Sequence, residues 1–108
     1  MSRIVFSQAA RGDRREITTY TVERFGVGQA RRLRDTLQTT LNKLAESPLI
    51  GRAHEELDPP GRAFRYFVVV KLFIIVYEPT EDGIRVARLL HGARNLAAEF
   101  DRNAGRED

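Results

Sequence analysis

Between Phe64 and Arg94 the chain carries two nearly unbroken apolar runs and then an alternating one. Tyr66-Phe67-Val68-Val69-Val70 comes first, and Leu72-Phe73-Ile74-Ile75-Val76-Tyr77 follows after the lone charge of Lys71. Glu78-Pro79-Thr80-Glu81-Asp82-Gly83 supplies a turn, and Ile84-Arg85-Val86-Ala87-Arg88-Leu89-Leu90-His91 resumes the pattern. β-Branched and aromatic residues dominate all three segments, which suits a pleated, half-buried surface better than a helix. Asp82-Gly83 tolerates the positive φ of a tight hairpin connection. The runs therefore predict three successive antiparallel strands with one apolar face, and the rest of the chain must cover that face.

The preceding half supplies the cover. Arg3-Ile4-Val5-Phe6 is long enough for an edge strand, and Ser7 stands where a helix N-cap belongs. From Gln8 to Phe25 the period is helical, with Ala10, Ile17, Tyr20 and, less strictly, Phe25 on one face and Asp13 on the same side. Gly26 reads as a helix terminator. Ala30, Leu33, Leu37, Leu41 and Leu44 then form one helical stripe, which ends at Ser47-Pro48. Burial of each stripe leucine contributes about 1.5–3 kcal/mol before entropy is deducted. The short link at Gly26 predicts an antiparallel helix hairpin. Leu49 to Gly61 reads as a loop, and residues 93–100 as a short C-terminal helix. The expected fold is α+β: an N-terminal strand and an antiparallel helix hairpin packed on an antiparallel sheet, in the order β-α-α-β-β-β. Residues 1–100 form a single domain, and 101–108 are expected to be a frayed tail.

Charge and composition narrow the function only a little. The chain has 108 residues and a formal net charge of +3, with Lys43 and Lys71 as its only lysines. Arginine forks suit nucleic acid or an acidic protein partner. Fifteen acidic residues offset them, so a general spread over solvated faces explains the arginines as well. There is no cysteine, which excludes disulfides and thiolate metal sites and fits a reducing, cytoplasmic compartment. Neither a secretory leader nor a membrane span is expected. No spacing of His, Asp or Glu suggests a metal site, no cofactor is implied, and Glu55, Glu56 and Asp58 read as a solvated loop cluster. His54, in the same loop, is expected to be exposed.

Ordered along the chain, several short motifs resemble the ParE branch of the ParE/RelE toxin superfamily. Ala10, Asp13, Ile17 and Tyr20 match its first helix, and Phe25-Gly26 its aromatic-glycine pair. Pro48, Ile50-Gly51-Arg52, Glu56-Leu57 and Gly61 match the segment after its leucine stripe, and Arg65 the arginine that opens its sheet. Phe73 to Tyr77 matches a strand ending in tyrosine. Val86-Ala87-Arg88-Leu89-Leu90-His91-Gly92-Ala93-Arg94 matches the last-strand signature, which is the most specific piece. The span from Arg65 to Tyr77 is about one residue longer than the family's, and a slip of that size would swap the faces of the hairpin.

The resemblance implies a toxin of a type II toxin–antitoxin system, neutralised by a ParD-like antitoxin. It also poses a choice of mechanism, because the RelE branch resembles a ribosome-dependent mRNA endonuclease and the ParE branch a poison of DNA gyrase without chemistry of its own. RNA cleavage needs a base, an acid and cations around the phosphorane. At the positions that match the nuclease branch this chain has Phe67, Ile74 and Phe100, none of which moves a proton. A gyrase inhibitor that acts by binding is the expectation, and an mRNA endonuclease the alternative. A fold-only interaction module and direct DNA readout are weaker rivals, since no basic recognition helix is evident. Arg65, Arg88, His91 and Arg94, with the C-terminal segment through Phe100, are the expected target-binding residues. For Arg88 an ion pair with an acid such as Asp13 is an equal reading. For His91 the competing role is hydrogen bonding at the turn before Gly92.

Overall fold

The computed structural model describes residues 2–69 and 73–91, with nothing stated of the His91 side chain. Five strands are present among them: β1 (Arg3–Phe6), β2 (Arg52–Ala53), β3 (Arg65–Val69), β4 (Phe73–Thr80) and β5 (Gly83–His91). They form one sheet in the order β1-β5-β4-β3-β2, on which the helix α1 (Gln8–Glu46) packs.

Two features of the expected architecture are corrected. The sheet is mixed, because β1 runs parallel to β5, with Ile4 opposite Ile84 and Phe6 opposite Val86. The expected pair of helices, joined as an antiparallel hairpin, is instead one helical element of 39 residues. Its regularity breaks only at Gly26, whose φ of 89° and ψ of 170° are non-helical and suit a residue without Cβ. A straight helix of that length would span about 58 Å. The longest dimension of the molecule is 39 Å, so α1 bends. The expected C-terminal helix and tail lie outside the described residues.

The meander β3-β4-β5 is antiparallel, and its register is now fixed by Arg65 opposite Tyr77 and Val69 opposite Phe73. Phe67 and Val69 thereby face α1 together with Phe73, Ile75 and Tyr77. The sheet has two apolar faces rather than one. Phe73, Ile75, Tyr77, Ile84, Val86 and Leu89 pack under Ala10, Leu37, Leu41 and Leu44 of α1. On the opposite face Ile74, Val76, Ala87 and Leu90 gather with Tyr66 and Phe64, and Leu57 of a short 3-10 turn (Glu55–Leu57) packs against them. A strand buried on both sides has no polar face to alternate with, which explains the unbroken run of β4. The stretch from Thr18 to Arg32 adds no hydrophobic side chain to the core under α1. Tyr20 and Phe25, expected on the buried face, are therefore 43% and 64% exposed.

Where β1 ends, the start of α1 takes over the free margin of β5. The Ser7 amide donates to the Val86 carbonyl (2.9 Å) and its hydroxyl to the Ala87 carbonyl (2.7 Å). The same hydroxyl oxygen caps the helix by accepting from the Ala10 amide (3.0 Å). One helical turn on, both oxygens of Asp13 accept from the Arg88 guanidinium (2.7 and 2.9 Å), and Oδ2 also accepts the Leu89 amide (2.9 Å). The register between β4 and β5 shifts here, with Val86 opposite Tyr77 and Arg88 opposite Val76, so Ala87 is the extra residue of a bulge. Bulges re-aim neighbouring side chains, and this one delivers Arg88 to the helix.

A second tie fixes the chain after α1. Tyr77, fully buried, donates its hydroxyl to the Pro48 carbonyl (2.6 Å) and accepts from the Gly51 amide (2.9 Å). A Cβ on Gly51 would lie 2.5 Å from that hydroxyl oxygen. Gly83 has a related role. It is not among the positive-φ glycines expected of the hairpin turn; it is glycine because the Arg3 backbone passes where its side chain would be.

Asp13→Asn should destabilise the fold by about 2–4 kcal/mol, because it leaves a half-buried guanidinium without its charge partner. Urea unfolding followed by circular dichroism measures this, and a change under 1 kcal/mol, roughly that of an exposed pair, would contradict it. Tyr77→Phe and Gly51→Ala should each cost roughly 1–3 kcal/mol, the first through two unpaired backbone groups and the second through overpacking. Combining them should cost less than the sum, since loss of the hydroxyl removes the atom that a Cβ on residue 51 approaches most closely.

Candidate functional site

The structure places Arg65 at the start of β3 and Arg88 on β5, on either side of the central strand β4. Both guanidinium groups are engaged with the scaffold. Arg65 Nη1 donates to the carbonyls of Gly51 (2.6 Å) and Leu49 (3.3 Å), which pins the turn already held by Tyr77. Arg88 is bound to Asp13 as described, with its side chain only 18% exposed. His91 closes β5 opposite Phe73. Arg94 and Phe100 lie outside the described residues.

Of the positions that correspond to the nuclease branch, Phe67 packs toward α1 and Ile74 is 4% exposed on the opposite face. The hydroxyl groups beside them are equally committed. Tyr66 donates to Asp58 Oδ1 (2.7 Å), and that oxygen also lies 3.3 Å from the Phe64 amide. Burial first, and then the Asp58 carboxylate, push the Tyr66 hydroxyl far above the usual tyrosine range. Burial also raises Tyr77, against smaller lowering effects of the Gly51 hydrogen bond and Arg65. Both are thus neutral donors at physiological pH. His54, expected to be exposed, is half-buried with its ring edge-on to Tyr66 at 5.3 Å, and its Nδ1 lies 3.5 Å from Glu56. Among the described residues no group of His, Asp or Glu could hold a metal ion.

Sequence reasoning missed a cavity of about 370 Å³ between the two arms of α1 and the end of the sheet. Its floor is apolar: Ile17, Leu33, Leu37, Phe73 and Leu89. Its walls carry the exposed Arg14, Arg15 and Arg34. The leucine stripe hinted at the floor. The cavity itself exists only because the bend at Gly26 brings residues 14–19 and 30–38 around one space. No helix among the described residues is long and apolar enough to cross a membrane.

These features coincide with known proteins. A family model described as the ParE toxin of the type II toxin-antitoxin system parDE matches residues 4–96. Toxin ParE1 of Mycobacterium tuberculosis is 34% identical over 85 residues, which cover 79% of this chain and 87% of that protein. Toxin ParE3 of Caulobacter vibrioides is 26% identical over 100 residues, 93% of this chain and 96% of that one. A solved chain from the chromosomal ParDE TA system of P. aeruginosa superposes with a TM-score of 0.66, covering 84% of this chain and 96% of its own. Its 18% identity speaks for the fold alone. With the family model spanning both the Asp13 helix and the Arg88 strand, the chain belongs to the ParE toxin family of type II toxin–antitoxin systems.

Proposed function

We propose that the chain arrests growth by binding DNA gyrase, without making or breaking a bond itself, and that a ParD-like antitoxin neutralises it. The observation that supports binding over cleavage is the packing of Phe67 and Ile74. Each sits where the nuclease branch needs a cation or proton carrier, and each is part of an apolar cluster. The nearest hydroxyl groups, on Tyr66 and Tyr77, are tied to Asp58 and Pro48 and are held neutral. At Phe67 and Ile74 a 2′-hydroxyl would meet no base, and Arg65 and Arg88 stay protonated at any physiological pH.

Within this reading the five expected target-binding residues divide. Arg65 and Arg88 keep the surface in shape, through the Gly51 carbonyl and Asp13. His91, Arg94 and the segment through Phe100 make the target contacts. An antitoxin partner fits the likeness to a chain from the P. aeruginosa ParDE TA system; here it docks where α1 is open and apolar, along the cavity over Leu33, Leu37 and Phe73. An amphipathic helix laid into such a groove gains affinity through a few anchored side chains. The complex forms in the cytoplasm.

Purified protein at micromolar concentration should inhibit supercoiling by gyrase and trap the cleaved DNA complex. Absence of both would contradict the gyrase assignment, and cuts inside the ribosomal A site, mapped by primer extension on translated mRNA, would favour the nuclease reading instead. Arg94→Glu should lower the inhibition about tenfold or more, because reversing a charge that meets the target acts on the encounter; circular dichroism checks that the variant folds. Induction of the chain alone should arrest growth, and co-expression of the antitoxin encoded beside it should restore growth and soluble yield. Harmless, soluble accumulation without any partner would argue for an inactive interaction module.

A further inference from the structure

Four arginines on or beside the sheet have partners: Arg62 and Arg85 lie 2.7 and 3.7 Å from Glu78, Arg65 binds backbone carbonyls, and Arg88 binds Asp13. The three around the α1 cavity are placed differently. Among the described residues, Arg14, Arg15 and Arg34 form no ion pair. Arg14 has its guanidinium 4.5 Å over the Phe6 ring, a contact that orients the charge without neutralising it.

Three like charges around an apolar floor set a condition on whatever enters. An oily side chain that fills the space over Leu33, Leu37, Phe73 and Leu89 displaces water and brings its own flanks beside the guanidinium groups. Basic flanks are repelled, neutral flanks strip hydration from the arginines without replacing it, and carboxylate flanks restore it as charge-assisted hydrogen bonds. Arg14 and Arg15 lie on the first arm of α1 and Arg34 on the second, so the carboxylates must fall on both sides of the anchor. On a helix that is an acidic residue three or four positions before the anchor and another three or four after it.

We propose that Arg14, Arg15 and Arg34 are the specificity-determining residues for the antitoxin, admitting a segment with an apolar anchor flanked by carboxylates and rejecting segments with neutral or basic flanks. The inference rests on the antitoxin reading above and adds to it the means of discrimination.

The test measures fluorescence polarisation of a labelled peptide from the C-terminal half of the antitoxin encoded beside the gene. It is titrated with the full chain and with its R14E/R15E/R34E variant. The variant should bind roughly 10- to 100-fold more weakly and lose most of the salt dependence seen with the native chain. Replacing the peptide's flanking carboxylates by lysine should reverse the preference, and R14K/R15K/R34K should bind like the native chain. Circular dichroism checks the fold; should the reversal variant not fold, R14Q/R15Q/R34Q carries the same comparison. Equal affinity and equal salt dependence for the native and variant chains would overturn the charge-selection inference while leaving the antitoxin assignment intact. Failure of the antitoxin peptide to bind the native chain would overturn both.

Discussion

The carboxylate of Asp13 joins the two layers of this protein. It accepts three hydrogen bonds, two from Arg88 and one from the Leu89 amide, all from a margin of β5 that β1 is too short to cover. An open strand margin is a template for wrong pairing, and a half-buried guanidinium without an anion is costly. One side chain on α1 resolves both. Ser7 does the same work a few residues earlier, ending β1, capping α1 and satisfying Val86 and Ala87. The bulge at Ala87 makes the arrangement possible, since it turns Arg88 toward the helix while Ala87 and Leu90 stay in the cluster on the far face.

That geometry changes how the family's arginines are understood. Polar residues in a specific strand signature invite a functional reading, yet Arg65 and Arg88 are held by backbone carbonyls and by Asp13. Their charge shapes the end of the sheet from which His91 leads onward. Three exposed arginines, Arg14, Arg15 and Arg34, stand on the other layer, around the cavity that the bent helix encloses. On the proposed function, gripping the target and yielding to the antitoxin fall to different parts of one small domain.

Much of this was legible in the residues, and the failures have physical reasons. The three-strand meander followed from β-branched runs, the leucine stripe from its period, and the end of α1 from Ser47-Pro48, while the Asp13–Arg88 pair was one of two equal readings of Arg88. Four residues, Arg3 to Phe6, fix a strand but not its direction, so the parallel pairing with Gly83 to Val86 was not readable. Gly26 marked a break, but one residue of non-helical backbone is too local to separate an interrupted helix from two helices. The run Phe73 to Tyr77 already carried the sign of burial on both faces, and only the cover was missing, because Leu57 and Phe64 lie in a stretch that reads as loop. The cavity depended on tertiary bending and left no local pattern.

On the proposed function the chain acts as a ligand and not as a catalyst. The most direct measurement titrates a fixed amount of gyrase with the protein and follows residual supercoiling activity over time at each ratio. Binding predicts inhibition that levels off near a stoichiometric ratio to gyrase and does not deepen with longer incubation. Progressive loss of activity at strongly substoichiometric toxin would mean turnover, and would contradict the account.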